Sequence, residues 1–318
     1  MQAYLRRTCI LIKNENTAER GYAYEKYGHI YAGKICISNT GALMKKKWIC
    51  DKTVILSGAA GGMGVGIAKL LIEKYNCKII GLDVSDKNLE EIRKTLGDKK
   101  DNFTLITLDV SKRESWKNLR EKLEEEKVQA DVVINNAGIL PPFDRFEHYG
   151  EETTEKCISV DLYSVIYSFS ELYEHIIKSK TPAFITTSSS VALCPIAGTT
   201  LYSASKSASK SFTECFMLEH PEIYVGCICP GFTKTGLFSN QAEDMSKNKL
   251  ISSFMSERDK MTKKIVRGIV RKKRLMVYGA DAHFMSVIYK LFPKSGPRFI
   301  SWILKKSRQK VFKNIFDK

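Results

Sequence analysis

No apolar run in this 318-residue chain approaches the ~18 residues that a membrane-crossing helix needs. The stretch nearest the N-terminus, Cys9-Ile10-Leu11-Ile12, is too short for the core of a secretion signal. Nine cysteines are scattered without a metal-ligand spacing, so no metal site is expected. The close pair Cys227 and Cys229 sits in an apolar, strand-like run. Alternation turns both side chains to one face, which reads as core packing. An odd cysteine count with no signal segment favours a reducing cytoplasm. Internal repeats and low-complexity tracts are lacking too, which argues against a repeat array.

Acidic residues are in short supply. Lys and Arg total 51 against 35 Asp and Glu, a formal charge of +16. Such a balance favours anionic partners. Hydrophobic residues make up 43% and charged residues 27%, as in a soluble globular protein. Nucleic acid is disfavoured as a partner, because no recognition fold accompanies the basic runs.

Residues 1–47 show no sustained period and read as an N-terminal extension. Either the functional protein begins at Met44, or the extension is a genuine arm. From residue 52 the pattern becomes orderly. Strand-like runs at Thr53–Leu56, Lys78–Leu82, Phe103–Leu108, Val132–Ile134, Ala183–Thr187 and Tyr224–Ile228 alternate with helical segments at Val65–Tyr75, Leu89–Leu96, Glu114–Lys127 and Tyr202–Glu219. Strands alternating with helices of this length predict parallel βαβ units. The fold class is α/β with a doubly wound parallel sheet.

The first strand runs into Ser57-Gly58-Ala59-Ala60-Gly61-Gly62-Met63-Gly64 at the mouth of a helix. Glycines there permit a tight turn and a close backbone approach to a pyrophosphate, which the helix N-terminus attracts. Asp83 ends the second strand, where a ribose-binding carboxylate belongs. A carboxylate repels a 2′-phosphate, and the glycine turn holds no Arg or Lys. NAD is therefore the expected cofactor.

Further motifs complete the pattern. Asp109-Val110 follows the third strand and Asn135-Asn136-Ala137-Gly138 ends the fourth. Ser189 precedes Tyr202 and Lys206, and Pro230-Gly231 precedes Thr233 and Thr235. In this order the chain, over about residues 50–280, resembles the compact single-domain branch of the short-chain dehydrogenase/reductase family. The resemblance implies that Gly58, Gly62, Met63, Gly64, Asp83, Asp109, Val110, Asn136, Pro230 and Thr233 contact the cofactor. It implies that Tyr202 and Lys206 act on both cofactor and substrate. Family spacing selects Ser189 from Ser188, Ser189 and Ser190 as the substrate-oxygen donor, and a one-residue gap in the loop would select Ser190. A homodimer or homotetramer is implied by resemblance only.

The chemistry stands without the family. Tyr202 and Lys206 are four apart and share a helical face. A tyrosine ionises near pH ~10, and an adjacent ammonium is expected to lower that value. The pair can then move a hydroxyl proton while the cofactor carries hydride. One departure concerns Ser159-Val160-Asp161-Leu162. Asp161 stands where the family keeps a relay asparagine and is included with the catalytic candidates; as an anion near Lys206 it would either tighten the lysine's position or offset its effect on Tyr202.

The expected reaction interconverts a secondary alcohol and a ketone. The loop Ile139-Leu140-Pro141-Pro142-Phe143 and the residues Phe232, Leu237, Phe238, Met245 and Phe254 suggest a hydrophobic substrate. A hydroxysteroid dehydrogenase and a 3-oxoacyl reductase are both live, with the NAD preference leaning toward oxidation. A catalytically silent NAD-binding sensor or scaffold is the competing class. Residues 48–285 thus form the expected catalytic domain. Residues 286–318 form a basic tail whose apolar spacing suits an amphipathic helix broken by Pro293 and Pro297. Peripheral contact with an anionic membrane is one expectation for that tail, and docking on a subunit is the other.

Overall fold

The computed structural model describes residues 10–13, 20–26, 29–37, 43–45, 47–86, 89–234, 255–307 and 310–316. It divides into two compact units, Met1–Cys50 and Asp51–Lys318. Among its described residues the first unit, expected to lack regular structure, carries four strands: β1 (Ile10–Lys13), β2 (Arg20–Lys26), β3 (His29–Ile37) and β4 (Leu43–Lys45). They pair antiparallel in sequence order. This meander was missed because the segment carries no clean alternation for the eye to follow.

The second unit is built on a sheet of seven strands. These are β5 (Thr53–Ser57), β6 (Lys78–Asp83), β7 (Phe103–Thr107), β8 (Val132–Asn135), β9 (Ala183–Thr187), β10 (Tyr224–Pro230) and β11 (Leu275–Tyr278). Their order is β11-β10-β9-β8-β5-β6-β7, parallel throughout. β8, β9 and β10 are buried at every residue. Continuous Val/Ile-rich runs behave so when both sheet faces are covered.

The covering helices are α1 (Gly62–Tyr75), α2 (Leu89–Leu96), α3 (Arg113–Glu125), α4 (Glu151–Ile158), α5 (Ser164–Ile176), α6 (Thr200–Glu219) and α7 (Arg258–Val270). On one face, Trp116, Leu119 and Leu123 of α3 meet Phe169, Leu172 and Ile176 of α5 over Ile55, Val133 and Phe184 of the sheet. Phe169 stacks on Phe184 at 4.3 Å between ring centroids. On the other face, Gly66 of α1 lies so close to Thr262 of α7 that a Cβ would come within 2.8 Å of the threonine methyl.

The strand order reverses direction between β5 and β8. At such a switch point the loops beyond the strand C-termini part and leave a crevice. α8 (Ala280–Leu291), α9 (Gly296–Lys306) and α10 (Lys313–Phe316) follow β11. Position 286, where the sequence suggests that the tail begins, falls inside α8. The tail's apolar residues are also divided. Ile300, Phe312 and Ile315 are buried, while Phe299 and Trp302 face solvent.

Phe169→Ala removes the ring shared by the α5–β9 contact. It is expected to destabilise the fold by about 3–5 kcal/mol, read as a lower denaturant midpoint.

Candidate active site

The crevice holds a cavity of about 1010 Å³. Its lining includes Gly58, Gly62, Met63, Asp83, Asp109, Val110, Asn136, Ser189, Tyr202, Lys206, Pro230 and Thr233. Twelve of the fourteen residues singled out from the sequence therefore meet in one space. Gly64 and Asp161 lie behind the wall.

Gly58 adopts a left-handed φ of +63°, and a Cβ there would press on the Ala137 backbone at 2.9 Å. A Cβ on Gly64 would strike the carbonyl oxygen of Gly58. Gly64 thus shapes the turn from beneath. α1 begins at Gly62 with Gly61 as its N-cap, and no side chain caps it. Its first N–H groups are left for an anion. Asp83 accepts the Ala60 N–H at 3.0 Å and the Ser85 N–H at 3.4 Å, which fixes the carboxylate at the edge of the cavity. Asp109 accepts from both the backbone N–H and hydroxyl of Ser111, and Trp116 donates to the Val110 carbonyl at 2.9 Å. A glycine cradle, an uncapped helix and a fixed carboxylate suit a dinucleotide: pyrophosphate at α1, ribose at Asp83.

Two residues that build the crevice were not among the expected site residues. The Ser57 hydroxyl accepts the N–H groups of Asn136 and Ala137 at 2.9 and 3.0 Å. Asn136 in turn donates its side-chain amide to the Ser57 and Gly58 carbonyls. At the far end of the crevice, Asp281 of α8 accepts the Phe232 N–H at 2.6 Å and so pins the loop after Pro230-Gly231. A Cβ on Gly231 would collide with that carboxylate. The sequence holds no signal for Asp281, because its partner is 49 positions away.

α6 carries Tyr202 and Lys206, two of the expected catalytic side chains. Tyr202, Lys206 and Ser189 are all buried. Ser189 meets the Tyr202 phenol through its side chain. Ser188 instead donates to the Lys206 carbonyl at 2.7 Å. Of the three consecutive serines, Ser189 is the one whose hydroxyl bears on the Tyr202 phenol, and it accepts the Val191 N–H at 3.4 Å. The Lys206 ammonium lies 3.4 Å from the Thr187 carbonyl and 3.4 Å from the Asp161 carboxylate. It sits 5.8 Å from the Tyr202 ring centroid.

Asp161 lies in a single π-type turn, Ser159–Tyr163, joining α4 to α5. It is fully buried. Its carboxylate accepts the Ile139 N–H at 2.8 Å and the Ser205 hydroxyl at 3.3 Å, with the Cys157 thiol at 3.9 Å. Gly138 makes room for this arrangement. A Cβ there would come within 2.9 Å of the Lys206 ammonium and 3.1 Å of the Asp161 carboxylate.

In the structure the Tyr202 phenol is held above its ordinary range, first by burial and then by the negative charge of Asp161, with the Ser189 hydroxyl opposing both. Lys206 is paired to Asp161, so its field at the phenol is largely offset. Burial likewise holds the Asp161 carboxyl above the usual carboxylate range, against the pull of Lys206 and of its hydrogen-bond donors.

The substrate end is apolar. Phe143, Val191, Cys194, Ile196, Met285, Ile300, Phe312 and Ile315 form one buried cluster with Tyr202, with Leu140 and Phe232 packed against it. Phe312 meets Phe143 edge-on at 5.3 Å, and Arg145 donates to the Ile315 carbonyl at 3.2 Å. The last described segment therefore backs the substrate loop. Leu237, Phe238, Met245, Phe254 and Thr235 lie outside the described residues.

Comparison with known proteins agrees with this geometry. A family model described as short chain dehydrogenase matches residues 52–246. The chain is 32% identical over 203 residues to a diacetyl reductase [(S)-acetoin forming] of Staphylococcus epidermidis, covering 62% of this chain and 77% of the relative. It is 31% identical over 198 residues to a 3-oxoacyl-[acyl-carrier-protein] reductase of Chlamydia pneumoniae, covering 60% and 77%. An alcohol dehydrogenase of the archaeon Thermococcus sibiricus, solved with 5-hydroxy-NADP, shares the fold with a TM-score of 0.63 at 23% identity, over 72% of this chain and 96% of that one.

Lys206→Met would strand Asp161 in the interior without its cation. The variant is expected to lose roughly 3–5 kcal/mol of unfolding free energy, and Asp161→Asn added to it should restore most of that loss. Equal stability of the single and double variants would show that the two groups are not coupled.

Proposed function

The chain belongs to the short-chain dehydrogenase/reductase family, whose members interconvert secondary alcohols and ketones, and on that premise we propose an NAD-dependent oxidoreductase acting on a hydrophobic substrate. One observation carries the reading: a Ser189–Tyr202–Lys206 constellation at one end of a crevice whose other end is a glycine turn beside Asp83. The family cofactor is a nicotinamide dinucleotide. Asp83 is the reason for choosing the form without the 2′-phosphate, since its fixed carboxylate would repel that group.

When bound, the cofactor supplies or accepts the hydride. The remaining work belongs to the chain. Ser189 hydrogen-bonds the substrate oxygen and stabilises the charge that develops on it. Tyr202 gives that oxygen its proton in reduction, or removes it in oxidation. Lys206, held by Asp161 and the Thr187 carbonyl, has a third proton left for a ligand in the crevice it lines. Leu140, Phe143, Val191 and Phe232 support an apolar substrate. A steroid or a 3-oxoacyl chain fits that description.

A phenol held above its ordinary range keeps its proton at neutral pH. The protonated phenol is the form that donates in reduction, and the phenolate is the form that accepts in oxidation. The sign is definite. Oxidation needs the phenolate, so below the phenol's pKa its rate should rise about tenfold per pH unit, while reduction stays nearly flat.

The test is a pair of titrations followed by turnover. NADH is expected to bind at least about tenfold more tightly than NADPH, read by nicotinamide fluorescence. A panel of 3-oxoacyl thioesters, ketosteroids and vicinal diketones should then be reduced. Tyr202→Phe should retain NADH binding and lose about 10²-fold or more in rate. Binding without turnover across the panel would identify a sensor instead. Preferential binding of NADPH would overturn the role given to Asp83.

A further inference from the structure

The outer faces of α8 and α9 are apolar where a surface should be polar. Seven of the thirteen exposed large hydrophobic side chains among the described residues fall between Phe284 and Trp302. Those on α8 follow a helical spacing. Phe284, Val287 and Leu291 are 44%, 53% and 66% exposed, while Asp281, Ala282 and Met285 of the same helix are buried. Phe292 continues the exposed set beyond the helix end. On α9, Ile300 turns inward, and Phe299 and Trp302 turn outward with their rings stacked at 6.0 Å.

The charge on this stretch has one sign. From Ser286 to Ser307 the chain carries Lys290, Lys294, Arg298, Lys305 and Lys306 and no acidic residue. All five are exposed. Lys306 lies over the Trp302 ring, 6.0 Å from its centroid. No helix among the described residues is long and apolar enough to cross a membrane. Exposed aromatic and aliphatic side chains on short helices, ringed by lysine and arginine, have the composition of a surface that lies in the headgroup region of an anionic bilayer.

We propose that the α8–α9 face docks on an anionic lipid membrane, with Phe284, Val287, Leu291, Phe292, Phe299 and Trp302 entering the interface and the five basic side chains meeting lipid headgroups. A second copy of this chain is the less favoured occupant, because two such faces would bring ten cations together. The inner faces of the same helices contribute Met285, Ile288, Ile300 and Leu304 to the apolar cluster around Tyr202. A docked protein would therefore have the wall of its substrate end against the bilayer, which suits a substrate dissolved in lipid. The docking itself does not depend on the proposed reaction.

The experiment is co-sedimentation of the full chain with vesicles, comparing phosphatidylglycerol mixed with phosphatidylcholine against phosphatidylcholine alone. Phe299→Ser/Trp302→Ser keeps the charge and removes two of the exposed aromatic side chains. Retention of NADH binding by the variant verifies its fold. The wild type is expected to bind anionic vesicles, to bind neutral ones at least tenfold more weakly, and to lose at least tenfold in affinity with the double substitution. Equal binding of wild type and variant would overturn the proposal, because charge elsewhere in the chain would then be responsible. Absence of vesicle binding would also overturn it. So would a concentration-dependent dimer that the same substitutions dissolve without any effect on vesicles.

Discussion

The pairing of Asp161 with Lys206 is the contact on which the catalytic end is assembled. One buried carboxylate takes an N–H from the loop after β8, a hydroxyl from α6 and the lysine ammonium, and faces a thiol of α4. The ammonium reaches on to the Thr187 carbonyl at the end of β9. Helix, strand end and loop are thereby tied at a single point. Burying a charge is tolerated only with such compensation. This explains why Gly138 must lack a side chain, since any Cβ would push on the pair. It also explains why the Tyr202 phenol feels an anion as well as a cation. A carboxylate in place of the family's asparagine leaves the architecture standing and puts a negative charge within reach of the Tyr202 phenol.

The two ends of the crevice are organised by different physics. At the dinucleotide end the backbone does the work: glycines, an uncapped helix and Ser57 bridging two loops. Small residues recur there because atoms must approach closely. At the substrate end side chains dominate, and elements far apart in sequence converge. Phe143 precedes α4, Val191 follows β9, Met285 sits on α8 and Phe312 lies near the C-terminus. Asp281 joins the ends by fixing the turn after β10 against α8.

The sequence was most legible where chemistry depends on local spacing. The glycine turn, Asp83 and the Tyr202–Lys206 pair each belong to a single strand, turn or helix, so period and position reveal them. The six strands read between Thr53 and Ile228 recur with bounds shifted by at most two residues. What escaped notice depends on distant partners. Ser57 looks like a strand terminus until Asn136 arrives beside it. α4 and α5 were not separated from their surroundings, because the π-type turn at Asp161 breaks the helical period. β11 is four residues long and carries no alternation of its own. The tail's break near Pro293 and Pro297 was legible, with α9 starting at Gly296, but not which of its residues turn inward: Ile300 is buried while Phe299 and Trp302 stay outside.

Asp161 lends its charge to the environment of Tyr202. The direct measurement is the pH at which carbon-13-labelled Tyr202 ionises in the presence of saturating NAD, in wild type and in Asp161→Asn, with Tyr202→Phe identifying the resonance. Removing the carboxylate charge should lower that pH by about one unit or more. An unchanged ionisation would mean that Asp161 carries no charge the phenol can sense, and the pairing with Lys206 would lose its place at the centre of the mechanism.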